Sequence, residues 1–119
     1  MSSPYVKVKA HLETLGYTVG KTEHWNPFAK IRQDLFNCVD LVAIRAGSPL
    51  VAIQVTSRTN VSNRMVKSQA MAHLWVSTGN RFEIYGYTSK SKKPPRVMRM
   101  RLDGTWEAKP AHVDLEFSL

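Results

Sequence analysis

A chain of 119 residues, 43% of them hydrophobic, is long enough for one packed core and too apolar to be disordered. No apolar run approaches membrane-spanning length, and a single cysteine, Cys38, excludes an internal disulfide or a cysteine-based zinc site. Seventeen Lys and Arg against nine Asp and Glu give a net charge of +8, which favours a polyanionic partner, nucleic acid first, over a merely basic surface.

The first residues, MSSPYVKVKA, hold no apolar leader stretch, so an intracellular, reducing compartment is expected, with no membrane partner. Pro4 to Leu15 reads as a helix: Ser3 can cap it, Pro4 suits its first position, and Tyr5, Val8, Leu12 and Leu15 form one apolar stripe. Gly16 is its expected stop, and Tyr17 to Lys21 a first strand. Residues 22 to 37 look irregular, with a turn at Asn26-Pro27; Trp25 and Phe28 there are expected in the core, with stacking on a base or sugar as the alternative.

Val39 to Arg45 and Leu50 to Thr56 are rich in β-branched residues, and the short link Ala46-Gly47-Ser48-Pro49 makes them a hairpin. Asn60 or Ser62 can cap a second helix running to about Ser77, with Met65, Ala72 and Trp75, and nearby Val61 and Leu74, on its apolar side, and Gly79 as its end. Arg81 to Thr88 is a further strand, residues 89 to 96 a basic loop, and Val97 to Leu102 a strand with Met98, Met100 and Leu102 on one face and Arg99 and Arg101 on the other. Asp103-Gly104 is a hairpin signal, with Thr105 to Lys109 as the returning strand. This order predicts an α/β fold in one domain over 1–119, its core at about 4–102 and a C-terminal hairpin and tail at 103–119.

Chemistry concentrates in two neighbouring strands. Asp40 opens one; fourteen residues on, polar Gln54 interrupts the next, and Thr56 shares its face. A hairpin brings Asp40 beside both. Ser57, Arg58, Thr59, Asn60, Ser62, Asn63, Arg64 and Lys67 then form a polar, cationic run into the second helix, whose start suits phosphate. From Ser89 to Leu102 the six cations Lys90, Lys92, Lys93, Arg96, Arg99 and Arg101 meet no acid, which suits a DNA backbone. For the first run the bland alternative is a helix cap with surface charges.

The pattern resembles the PD-(D/E)XK nuclease superfamily, whose members place an acid at the start of one strand and a Glu/Asp-x-Lys motif on the next, after an N-terminal helix. It is most similar to small phage and archaeal Holliday junction resolvase-like members; Asp34-Leu35-Phe36 and Gln54-Val55-Thr56-Ser57 resemble stretches of phage-encoded proteins. The resemblance implies a restriction-endonuclease-like core, with a mixed central sheet flanked by helices, in a homodimer that acts on DNA, including branched DNA, in the cytoplasm of a host cell. It also implies Mg²⁺, with Mn²⁺ able to substitute, held by Asp40, the Gln54 side chain and the Val55 carbonyl.

This sequence departs from the pattern at two positions. Gln54 replaces the second acid, and Thr56 replaces the lysine. Asp34 is the candidate for a second carboxylate and Lys67 for the missing cation, with Arg58 or Arg64 able to share its part; for Asp34 and Lys67 the alternative is a plain surface charge. Glu13, the one acid of the first helix, is expected in solvent. His11, His24, His73 and His112 lack ligand spacing. The sequence therefore supports a metal-dependent endonuclease, a DNA-binding protein on a nuclease fold with a weakened site, a subunit whose missing catalytic groups come from a dimer mate or partner chain, or, on charge alone, an RNA-binding module.

Overall fold

The computed structural model describes residues 4–22, 24–88 and 94–109, without the side chains of His24 and Arg32. Helix α1 (Pro4–Thr14) starts on the expected proline. It ends where Gly16 turns to φ 89° and the Gly16 and Tyr17 N–H groups reach back to the carbonyls of Glu13 and Leu12, the pairing that closes a helix on a left-handed glycine. Val8 and Leu12 are buried and Glu13 is exposed.

Six strands form one mixed sheet in the order β1 (Thr18–Lys21), β4 (Leu41–Ile44), β5 (Val51–Ser57), β6 (Arg81–Tyr87), β7 (Arg96–Met100) and β8 (Trp106–Ala108). Neighbours are antiparallel except β5 and β6, which run parallel because the chain returns through helix α2 (Val61–Ser77). The expected hairpin is β4–β5, in the register Leu41↔Ile53 to Ala43↔Val51.

Residue alternation gives the sheet two apolar faces. Val51, Ile53 and Val55 pack with Val8 and Leu12 of α1, whereas Ala52 packs with Val61, Ala72 and Val76 of α2, joined by Phe82, Ile84, Met98 and Met100. Gln54 and Thr56 share the α2 side with Ala52. Among the described residues neither helix is long and apolar enough to cross a membrane.

Several expectations change. Residues 22–37 hold a separate two-stranded ribbon, β2 (His24–Asn26) with β3 (Ile31–Gln33), too short for its alternation to show in sequence. Leu74 is 61% exposed, because it lies two residues, or about 200°, from buried Ala72 around the helix. Leu102 is 75% exposed, because β7 stops at Met100 and the chain turns through Arg101–Gly104. Asn60 stands at the start of α2, but its side chain makes no capping bond; a 3₁₀ turn at Arg58–Asn60 leads into the helix instead. Lys90, Lys92, Lys93 and His112 lie outside the described residues.

Glu83 on β6 is buried, and Lys109 Nζ at 2.9 Å and Arg99 Nε at 3.1 Å both bond its Oε2. Tyr85 donates its hydroxyl to Oε1 at 3.2 Å. Burial alone would raise the Glu83 carboxyl, but Lys109 and Arg99 hold it below the usual range. Buried charge is satisfied here by pairing, so Arg99 of β7 and Lys109, just past the edge strand β8, are tied to β6.

Candidate functional site

Asp40 sits just before β4 and is 3% exposed. Its N–H donates to the Ile53 carbonyl at 2.8 Å, and its Oδ2 accepts the Val55 N–H at 2.7 Å. Asp40 thus brackets Gln54, its carboxylate standing in for the next main-chain carbonyl of the ladder. This explains why regular β4 pairing ends at Leu41. Sequence reasoning assigned Val55 a carbonyl role; the observed contact to Asp40 uses its N–H.

Asp34 comes to the same place. The chain reverses between β3 and β4 with Phe36 at φ 54° and Asn37 at φ 61°, the Cys38 and Val39 N–H groups both donating to the Leu35 carbonyl. Asn tolerates the left-handed region, whereas a bulky residue such as Phe36 is held there under strain. The turn brings the Asp34 carboxyl close enough to act on that of Asp40. Burial, the Asp34 contact and its charge raise the Asp40 carboxyl to about 7, against the opposing Val55 N–H and Arg64. A cation beside Asp40 would oppose that rise.

Cations approach from α2. Arg64 acts on Asp40, and exposed Lys67 acts on Cys38, two residues before Asp40. Burial first, then Asp40 and Asp34, push the Cys38 thiol up to about 11, so it is a packing residue rather than a nucleophile. Gln54 is 1% exposed, and its Oε1 finds no hydrogen-bond partner among the described residues. A fully buried amide oxygen left bare is costly, and a ligand beside the acids would satisfy it. Thr56 is buried on the same side, opposite Gly86.

Gly86 is what lets α2 lie so close. A Cβ there would stand 2.2 Å from Val61 Cγ2 and 3.0 Å from the Arg58 Cα. The 3₁₀ turn and the first turn of α2 therefore rest directly on β6, which sets Arg64 where it acts on Asp40 and Lys67 where it acts on Cys38.

The remaining candidates divide. Ser57, Arg58, Asn60 and Ser62 are exposed at the same end of the sheet. The Ser57 and Thr59 hydroxyls lie 3.2 Å apart, and Arg58 donates to the Pro94 carbonyl at 3.3 Å. Arg99 is occupied by Glu83, and Arg101 bonds Glu107 at 3.1 Å, so neither guanidinium is a bare phosphate contact. Glu13 lies at the far end of α1, away from the acids; the adjoining Leu15 carbonyl bonds Arg45, beyond the distal end of β4. Sequence reasoning did not single out Lys7 and Lys21, which lie over the Tyr87 and Tyr5 rings at 5.6 and 5.1 Å, at the N-terminal end of α1.

Among the described residues no three His, Cys, Asp or Glu side chains converge as a metal cluster; the oxygen donors that do converge are the two carboxyls, beside the bare Gln54 amide. No family model, curated protein or solved structure matches the chain.

Proposed function

We propose that this protein is a metal-dependent DNA endonuclease of the PD-(D/E)XK type, in which Asp34 takes the part of the missing second acid. The observation that carries the reading is buried Asp40, fastened to β5 one residue from the buried, unpartnered Gln54 oxygen and acted on by the Asp34 carboxyl. Hard cations such as Mg²⁺ take oxygen ligands, and one or two carboxylates suffice when water and phosphate complete the shell, so the residues fit Mg²⁺ or Mn²⁺. The order of helix, acid-bearing strand, Gln-x-Thr strand, helix and parallel strand supports a restriction-endonuclease-like core.

A bound Mg²⁺ supplies Lewis-acid polarisation of the scissile phosphate and eases deprotonation of water. The Val55 N–H fixes Asp40 as a ligand, and the strained turn at Phe36–Asn37 delivers Asp34. Gln54 offers a neutral oxygen. Arg64 and Lys67 stand where a phosphate would enter and neutralise its charge, Lys67 doing from α2 what the motif lysine does from the strand. A homodimer suits paired incisions in a four-way junction and belongs to the same proposal, as does action inside the cell.

Two observations favour a second reading, a DNA-binding protein with a weakened site: Thr56 is buried at the lysine position, and Asp40 already caps β5. Labelled duplex, single-stranded and four-way-junction DNA, incubated with Mg²⁺, Mn²⁺ or EDTA, separates the two. Metal-dependent cutting is expected for the wild type, abolished in Asp40→Asn and reduced roughly 10- to 100-fold in Asp34→Asn. Uncut DNA with salt-sensitive binding retained would replace the nuclease with the binding protein.

A further inference from the structure

Five large apolar side chains stand exposed between residues 25 and 36: Trp25, Phe28, Ile31, Leu35 and Phe36. Trp25 is 56% exposed and Phe28 97%. The core expected for Trp25 and Phe28 is not where they lie. They project on the β2–β3 arm, which pairs with no strand of the main sheet. A two-stranded ribbon is marginal alone, and exposed aromatics concentrated on one mark a contact surface.

The arm is nevertheless built to a shape. Asn26 Oδ1 accepts the N–H groups of Phe28 and Ala29 at 3.0 and 3.1 Å, and Asn26 Nδ2 donates to Gln33 Oε1 at 3.1 Å. The tip that carries Phe28 is thus set by the same side chain that clamps the two strands. At its root the Thr22 N–H donates to the Asp40 carbonyl at 3.0 Å and the Thr22 hydroxyl bonds the Val39 carbonyl, while β3 runs directly into Asp34. Both ends of the arm are therefore fastened at the carboxyl pair. Phe28 lies six positions before Asp34, a reach of at most about 20 Å. Lys30 at the tip, and Lys21 at the end of β1 where the arm leaves the main sheet, are exposed cations.

Exposed aromatics beside cations match one polyanion with apolar faces: nucleic acid whose bases are unstacked. A second copy of a +8 chain would bring the same lysines against one another. An anionic lipid surface would explain the aromatics and lysines but not their fastening to Asp34 and Asp40.

We propose that the β2–β3 arm is a stacking wedge: Trp25 and Phe28 take unpaired bases, and Lys21 and Lys30 the flanking phosphates, directing the site to DNA where duplex meets single strand. The choice of DNA rests on the nuclease reading; the stacking itself does not. The test is binding by fluorescence anisotropy in EDTA, at fixed salt, to splayed-arm, single-stranded and fully paired DNA. The splayed arm carries 2-aminopurine at the branch. Trp25→Ala and Phe28→Ala are each expected to weaken binding to splayed-arm and single-stranded DNA about 5- to 150-fold, with fully paired duplex changed less than about twofold. Phe28→Trp should retain wild-type binding and 2-aminopurine quenching.

Equal losses on all three DNAs, or no loss, overturn the wedge, as does loss of binding to phosphatidylserine vesicles, or of dimer mass, with DNA binding intact. Because cleavage is not read, an inactive wild type that still prefers the splayed arm through Phe28 keeps the wedge and removes the nuclease. If the separate cleavage assay shows metal-dependent cutting while Phe28→Ala keeps the wild-type binding preference in EDTA, the wedge alone is removed. A wild type that binds none of the DNAs removes both.

Discussion

Asp40 is held where its charge is least welcome. It is buried beside a second carboxyl, and its pKa rises from 3.8 to about 7. In the folded state it keeps a proton that the unfolded chain releases, so the stability tied to this group is full below about pH 4 and is lost as pH rises through about 7. Asp40→Asn keeps an oxygen for the Val55 N–H and removes the charge. Thermal melts should therefore show the variant more stable than wild type at pH 8, by about one to a few kcal/mol, because each tenfold change in proton affinity is worth about 1.4 kcal/mol. The gap should close towards pH 4. Mg²⁺ should raise the wild-type melting temperature at pH 8 and leave Asp40→Asn unmoved. A variant that melts lower at pH 8 would mean that the carboxylate serves as a strand cap and nothing more. On the nuclease reading the same competition between proton and cation would set the activity profile: cleavage should rise through about pH 7 at low Mg²⁺, and its midpoint should move down as Mg²⁺ increases.

The elements that present the site depend on one close approach. Gly86 opposes Thr56, and any side chain there drives into Val61 and the Arg58 backbone. Gly86→Ala must lift the start of α2 from β6, at a cost of about 1–3 kcal/mol by overpacking. Urea denaturation should show that loss, and cleavage should fall further than stability explains, since Arg64 and Lys67 move with the helix. A variant that folds less stably yet cuts normally would remove the α2 cations from the reaction. The glycine's role was invisible in the sequence, because a contact between β6 and the turn before α2 is tertiary. By contrast β4 and β5 were legible: Val39 to Ile44 and Leu50 to Val55 are β-branched runs across a four-residue link, and only hairpin pairing buries both. The arm was not legible, because three-residue strands around Asn26-Pro27 carry no periodicity. Asp40 and Gln54 could be named from their interruption of apolar strands. That Asp34 meets Asp40 depends on Phe36 and Asn37 both adopting positive φ, which no local preference of Phe suggests.

Over the whole molecule, the +8 charge overstates what is offered to a polyanion, because several cations are already spoken for. Arg99 and Lys109 neutralise buried Glu83, and Arg101 is held by Glu107. Among the described residues, Arg64 on α2 acts on Asp40 and Lys67 on Cys38, while Lys7 and Lys21 stand over tyrosine rings at the end of α1. Each phosphate a protein neutralises adds about 0.9 to the slope of log affinity against log salt on duplex DNA. Removing a true phosphate contact should therefore flatten the slope by about one, whereas removing a cation held in an ion pair should not. Salt titrations of duplex binding between 50 and 200 mM, about the range over which such slopes are well resolved, are expected to give that loss for Arg64→Ala and Lys67→Ala. They should leave the slope of Arg101→Ala at the wild-type value. If all three variants flatten it alike, DNA is held by the diffuse field of the chain, and the placement of α2 over the carboxyl pair has no part in binding. If only the α2 variants do, the backbone that reaches Arg64 and Lys67 passes directly over Asp34 and Asp40, where the chemistry requires it.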